Sequence, residues 1–312
     1  MLACISLNPA IDKRVRLAKL APGQVNRAST VKAAAGGKAA HVAMVLQRLG
    51  GQPLWIGFAG GAPGQDLLMG LHALGVQTVP VSTSNATRSN LEIIDDDGTV
   101  TELLEPGAEV SPEEWQAFES ACDSVFGQGS VTAVLSGSLP AGVPAESYAT
   151  LIARAHRLGN KVFLDTSREP LKLALGAKPD LVKPNREEAE WLIGGPIKDV
   201  ATAGQATARL ISAGAKSAAI SLGQDGLVWR PSPGDSVYHA QTRTVACRSA
   251  VGSGDATMAG FAFAAERGLG ACDALKLAAA CGAANCLAEL PGQLNVGEVR
   301  RLESLVQIRT VL

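Results

Sequence analysis

The chain has 312 residues, 46% of them hydrophobic and 18% charged, with 28 basic against 29 acidic side chains. That is enough apolar material for one large α/β core, and the near-neutral balance without a Lys/Arg tract excludes the electrostatic footprint of a dedicated nucleic-acid binder. Apolar stretches such as Ala256 to Ala265 are too short to cross a bilayer, and no charged, apolar, cleavable leader opens the chain, so a cytoplasmic protein is expected.

In chain order, Asn8-Pro9-Ala10-Ile11-Asp12 ends a first strand with an acid at its tip. Lys13–Leu20 and Val25–Ala33 flank a Pro22-Gly23 turn and predict a hairpin. A helix over Lys38–Leu49, a strand over Pro53–Phe58 and a helix over Pro63–Leu74 follow. Leu91–Ile94 and Val100–Leu104 around Asp95-Asp96-Asp97-Gly98 predict a second hairpin; the three acids lack the alternating spacing of a calcium loop and fit a solvated turn. Helices are then expected over Pro112–Phe126, Pro144–Leu158, Arg186–Ile193 and Ala201–Ser212, with strands over Val131–Leu135, Lys161–Asp165, Asp180–Lys183 and Ser217–Ser221. This alternation predicts βα units: a mostly parallel central sheet covered by helices on both faces, with ligands at the carboxyl ends of the strands. The hairpins break the alternation and predict a small β-sheet beside it. Six cysteines without a CxxC pair and only four histidines give neither zinc spacing nor a disulfide framework, and reduced thiols packed as small apolar residues are expected.

The segment with the strongest chemical signal is Ala250-Val251-Gly252-Ser253-Gly254-Asp255-Ala256-Thr257, which opens an apolar helix. Glycines there let the backbone approach a ligand, and successive N–H groups at a helix start suit phosphate oxygens. The carboxylate of Asp255, favoured as an anion by the dipole, is placed to take a proton from a hydroxyl attacking a phosphoryl group; the competing reading is an Asp N-cap. A P-loop is absent, because Gly37-Lys38 is followed by Ala39, and the dinucleotide fingerprint lacks its third glycine.

Asn185 and Glu188 open a helix after Lys183-Pro184 and lie on one face of its first turn, where they suit either magnesium waters and phosphates or a capping box. Ser221-Leu222-Gly223-Gln224-Asp225-Gly226 is a hairpin turn into Leu227-Val228-Trp229 or a nucleotide loop. Asp12 at its strand tip suits sugar hydroxyls or plain solvation. Gly36-Gly37-Lys38 before a helix and the arginine fork of Thr87-Arg88-Ser89-Asn90 suit anions.

In this order, and over essentially the whole chain, these segments resemble the ribokinase-type (PfkB) sugar kinases, in the branch that phosphorylates sugar phosphates. The motifs that carry the resemblance are Leu7 to Asp12, Gly36-Gly37-Lys38, Thr87 to Asn90, Ser136-Gly137-Ser138-Leu139-Pro140, Asp165-Thr166-Ser167, Lys183-Pro184-Asn185 with Glu188, Ser221-Leu222-Gly223 and Val251 to Asp255. The resemblance implies a single ribokinase-like domain over residues 1–312, with lid strands inserted at about 12–33 and 88–105 that close over the site and form a homodimer. It implies ATP and Mg2+ as cofactors. Asp255 would be the catalytic base, with the backbone of Gly252, Ser253 and Gly254 as the anion hole. Asp12, Gly37, Lys38, His41, Arg88 and Ser138 would hold the sugar phosphate. Lys183, Asn185, Ser221, Gly223, Gly226 and Asn285 would lie near the nucleotide, and Asn185 and Glu188 would hold the metal through water.

Where the branch usually reads Gly-Gly-Lys-Gly-x-Asn, this chain has Gly36-Gly37-Lys38-Ala39-Ala40-His41. His41 is then a neutral hydrogen-bonding substitute for the amide, a titrating group that makes affinity depend on pH, or a packed histidine. Arg168 to Leu171 and Pro184-Asn185-Arg186 are similar to fructose-1-phosphate kinases, whereas Gly60 to Gln65 and Thr101 to Glu105 are closer to tagatose-6-phosphate kinases. Fructose 1-phosphate is favoured, giving fructose 1,6-bisphosphate. Tagatose-6-phosphate kinase, 6-phosphofructokinase and a non-catalytic sugar-phosphate sensor are the alternatives, and Lys38 with Arg88 argues against an unphosphorylated sugar.

Overall fold

The computed structural model describes residues 1–311. Its main sheet has ten strands. In spatial order from one edge these are β14 (Gln307–Thr310), β13 (Tyr238–Gln241), β12 (Leu227–Arg230), β11 (Ala218–Ser221), β10 (Leu181–Val182), β9 (Lys161–Asp165), β8 (Thr132–Ser136), β1 (Leu2–Ser6), β4 (Pro53–Ala59) and β5 (Gln77–Ser82). From β11 to β5 every neighbour is parallel, and β12 to β14 add an antiparallel extension.

A continuous apolar run makes each central strand, because both faces of the sheet are covered. In β1, Leu2 and Cys4 enter one core, while Ala3 and Ile5 enter the other. The first core is closed by helices α1 (Lys38–Arg48), α2 (Gly61–Ala73), α8 (Ser253–Glu266), α9 (Ala271–Cys286) and α10 (Val296–Glu303). The second is closed by α3 (Pro112–Phe126), α4 (Ser147–Arg157), α5 (Arg168–Leu175), α6 (Arg186–Ile193) and α7 (Val200–Ser212). Helix α3 shows why the termini fall where they do: Ser111 and Glu114 form a reciprocal capping box with Pro112 in the first turn.

A second sheet, ordered β3 (Thr30–Gly36), β2 (Ala10–Leu17), β6 (Arg88–Asp95), β7 (Val100–Leu104), stands beside the first. The hairpin between β6 and β7 turns at the expected acidic run. The first pair is antiparallel in the expected register, with Lys13 facing Ala33, but it begins earlier, with Ala10 facing Gly36, and pairs no further than Arg16 with Thr30, so the Pro22-Gly23 turn lies within a longer connection. Ile11 and Ala35 are drawn into the core with Leu67 and Leu71 of α2, and this burial sets the register. Strands β5, β13 and β14 and helices α5 and α10 are additional to the expected elements. Pro80 sits in the edge strand β5, and most of β14 is exposed, so neither carries the apolar run of a central strand. Cys4, Cys122 and Cys281 are buried thiols, whereas Cys247 and Cys272 are exposed. Among the described residues no helix is long and apolar enough to cross a membrane.

Candidate active site

Parallel strands deliver their C-terminal loops to one edge. There the residues after β1 (Asn8), β8 (Gly137, Ser138), β9 (Thr166, Ser167), β10 (Lys183, Asn185) and β11 (Leu222, Gly223) line a cavity of about 1000 Å³. The second sheet adds Asp12, Arg88, Asn90, Glu92 and Glu102, and α8 adds its first turn. This volume is at the upper end for a small-molecule site and leaves room for two reactants.

Gly252 caps α8 with a φ of 79°. A Cβ at that position would lie 2.8 Å from Cβ of Pro291, so both the turn and the packing require glycine. Ser253 N–H turns inward to the Ala250 carbonyl at 3.0 Å, which removes it from the expected anion hole. Among the described residues the amides of Gly252, Gly254 and Asp255 take no backbone or side-chain acceptor, leaving them for an anion at the helix start. Asp255 is not the N-cap. It occupies the third helical position, is buried, and lines the cavity.

Lys38 and His41, three apart on the first turn of α1, project to the same side. His41 is buried between two acids: Nδ1 is 2.8 Å from Asp255 Oδ2, and Nε2 is 2.8 Å from Asp12 Oδ2. The second contact lies off the hydrogen-bond axis and is an ion pair. Burial by itself would push the imidazole pKa down, but the two carboxylates override it and raise it to about 10. Asp12 also accepts from Asn90 Nδ2 at 2.9 Å and Gly37 N at 3.3 Å; these contacts and His41 outweigh burial and hold it below the ordinary carboxylate range. Gly36 leaves the space this carboxyl occupies, since a Cβ there would come within 2.2 Å of Asp12 Cγ.

Asp165, buried at the end of β9, pairs with two lysines: Lys38 Nζ at 3.0 Å and Lys183 Nζ at 2.9 Å. Burial raises its pKa, and the two ammonium groups reverse that and hold it well below the usual range. Lys183 Nζ stands 3.2 Å from where a Cβ of residue 254 would be, so its charge adjoins the open amides. Asn185 and Glu188 form the reciprocal capping box of α6: Asn185 Oδ1 accepts from Glu188 N, and Glu188 Oε2 accepts from Asn185 N, each at 2.9 Å. The cap takes one lone pair of the Asn185 amide oxygen and leaves the other with its NH2; both residues line the cavity, and Glu188 Oε1 is 3.8 Å from Lys38 Nζ. No cluster of three metal-ligating side chains occurs among the described residues. One carboxylate oxygen beside a phosphate-sized space suits a hydrated magnesium held mainly by water and phosphate.

With that geometry fixed, the sequence pattern of the pfkB family carbohydrate kinase matches residues 3–294. The chain belongs to the pfkB family of carbohydrate kinases. It is 34% identical over 280 residues to 1-phosphofructokinase of Rhodobacter capsulatus, covering 89% of this chain and 88% of that protein. It is 36% identical over 265 residues to 1-phosphofructokinase of Xanthomonas campestris, covering 83% and 82%. Phosphofructokinase-2 from Escherichia coli, solved in complex with substrates and products, matches with a TM-score of 0.91 at 25% identity over 97% of this chain and 98% of that one. Membership makes the protein a phosphotransferase with a hydroxyl acceptor.

Most of the expected residues meet in this pfkB cavity: Asp12, Gly37, Lys38, His41, Arg88, Ser138, Lys183, Asn185, Glu188, Ser221, Gly223, Gly226 and the 252–255 turn all line it. Asn285 differs. It is absent from the lining and sits behind the turn, donating to Val251 O at 2.9 Å and accepting from Gly292 N at 3.0 Å, so it braces the Gly252 turn. Arg88 spends donors on the carbonyls of Glu105 (2.7 Å) and Asn8 (3.0 Å), which fixes its fork across the cavity floor. Asp165 and Asn90, quoted within motifs but given no role, are the partners that place the lysines and Asp12. Their signal was position: one ends a parallel strand, and the other is two residues beyond Arg88 on the same strand face.

Proposed function

We propose that the protein transfers the γ-phosphoryl group of ATP, with magnesium, to the 6-hydroxyl of fructose 1-phosphate, giving fructose 1,6-bisphosphate. The observation that carries this reading is the convergence of Asp255, the open amides of its turn and Lys183 on one cavity that also holds Asp12, Lys38 and Arg88. The relatives named 1-phosphofructokinase support fructose 1-phosphate over the tagatose and 6-phosphate alternatives.

In this reading Asp12 accepts hydrogen bonds from sugar hydroxyls, while Lys38 and Arg88 attract the sugar's phosphate. Asp255 takes the proton of the attacking hydroxyl. The amides of Gly252, Gly254 and Asp255, with Lys183, stabilise charge on the transferring group. Glu188 and the remaining lone pair of Asn185 Oδ1, directly or through water, would hold the magnesium, whose bound charge would neutralise the nucleotide phosphates. Ser221, Gly223 and Gly226 border the nucleotide. The second sheet acts as a lid that excludes water from the reacting oxygen. Val31, Val100, Leu103 and Leu104 on that sheet are exposed, and they support pairing of two copies through the lid.

The test is ADP release over a panel of fructose 1-phosphate, fructose 6-phosphate, tagatose 6-phosphate and free fructose. The highest kcat/KM is expected for fructose 1-phosphate. Turnover of none, with binding of the sugar phosphate retained, would replace the kinase with a sensor.

A further inference from the structure

We propose that His41 is a positioning residue that, as an imidazolium shared between Asp12 and Asp255, joins the acid that holds the sugar to the acid that takes its proton. The inference rests on the kinase reading for the roles of the two acids. The geometry itself is independent of it.

Both ring nitrogens lie 2.8 Å from a carboxylate oxygen. A neutral imidazole offers one N–H and one lone pair, so it would set a lone pair against one of these carboxylates. Only the doubly protonated ring satisfies both sides. The ring is buried and both nitrogens abut the acids, Nδ1 in a hydrogen bond with Asp255 and Nε2 in an off-axis ion pair with Asp12, so its charge is taken up by them rather than offered as a further substrate cation. It therefore acts through Asp12 and Asp255. His41 takes only Oδ2 of Asp255; among the described residues Oδ1 has no hydrogen-bond donor and is the oxygen left for an incoming hydroxyl.

The surrounding charges agree with a cation at this point. From β2 the ring faces Asp12, and from α8 it faces Asp255. Arg88 of β6 and Glu102 of β7 act on Asp12, Lys38 of the ring's own helix acts on Asp255, and the Gly292 turn packs against the His41 backbone. An amide at position 41 would bring no charge to balance two carboxylates. With the ring protonated, an Asp12 fixed by a sugar also fixes the aim of Asp255. Once the ring loses a proton, one of the two links becomes repulsive and the base is no longer held.

Because the carboxylates raise the ring's pKa to about 10, the link is intact at neutral pH and fails as pH rises through that value. Two measurements decide the matter. In the intact protein labelled with ¹⁵N-histidine, with His41→Asn identifying the signal among four histidines, both ring nitrogens should be protonated at about pH 8. A neutral ring there overturns the proposal. In ADP-release kinetics, His41→Asn and His41→Gln should lower kcat at about pH 7.5 by roughly 10- to 100-fold, leave KM for ATP within about twofold, and lack the alkaline fall in kcat of the parent enzyme. Coincident pH profiles, or an unchanged kcat, also overturn it. If the variants do not fold, the signal that responds to fructose 1-phosphate identifies His41 in the parent protein and the ring measurement decides alone. A parent enzyme inactive on every sugar phosphate would instead remove the kinase reading while the charge on the ring is still read.

Discussion

Glu92 of β6 accepts a hydrogen bond from Ser249 Oγ across the seam between the second sheet and the segment that leads into the Gly252 turn. The same carboxylate pairs with Arg14 of β2 at 2.7 Å, its register partner in the parallel strand pair, and Ser249 Oγ in turn accepts from Val251 N at 3.2 Å. A chain of polar contacts thus runs from the second sheet to the segment that opens the Gly252 turn. Arg14 also donates to the Glu289 carbonyl, which ties the sheet to the loop before Pro291.

Because Arg14 and Glu92 are both buried, neutralising one partner strands the other. Glu92→Gln is expected to lower stability by about 3–5 kcal/mol, measured by urea denaturation, and pairing it with Arg14→Met should recover part of that loss. Ser249→Ala keeps the ion pair and removes the hydroxyl that connects Glu92 to Val251. It should lower kcat by roughly tenfold with little change in sugar KM, and an unchanged kcat would show that the lid strands and the Gly252 turn are not coupled by this route.

Asp255→Asn leaves the shape of the site in place but removes the proton acceptor. Turnover should fall by roughly 10²–10⁴-fold with fructose 1-phosphate still bound, as calorimetry would show. Retention of most of the parent kcat would take the base role away from Asp255.

How much of this was legible in the sequence depended on how local each feature is. The 252–255 turn could be read because its glycines and acid lie within one helix start, and the α/β layering because each central strand is a continuous apolar run. The bridge made by His41 could not, since its partners are Asp12, on a strand of the other sheet, and Asp255, 214 positions away. Glu92 and Ser249 are 157 apart and carry no motif. The bracing role of Asn285 was not legible, because a polar residue on a buried helix face looks the same in sequence whether it meets a ligand or braces a turn. Asn185 was readable in two ways, and the structure shows the cap directly.

Lys38 and Arg88 differ in what they can still offer a ligand. Lys38 Nζ is partly exposed beside Asp165 and Glu188, whereas Arg88 is clamped by two carbonyls. Lys38→Ala and Arg88→Ala should each raise KM for the sugar phosphate by roughly 10- to 100-fold, the scale of a charge-assisted hydrogen bond, with KM for ATP much less affected. Arg88→Ala should also lower the melting temperature, because it frees the carbonyls of Glu105 and Asn8. Equal effects on both substrates would remove these residues from the sugar-phosphate end.

Asp165 should govern the acid limit of stability. Its folded pKa is held below the unfolded value by Lys183 and Lys38, so its contribution is fully present above about pH 4 and is lost as pH falls through the folded pKa. Melting temperature followed from about pH 7 down to about pH 2 should therefore drop more steeply for the parent than for Asp165→Asn. The variant should start lower by about 3–5 kcal/mol, since two lysines, one of them fully buried, lose their shared counter-charge. Parallel curves for the two proteins would mean that Asp165 ionises no more readily in the folded chain than in the unfolded one. The two lysines would then have to be held by the other carboxylates near Lys38, those of Glu188 and Asp255.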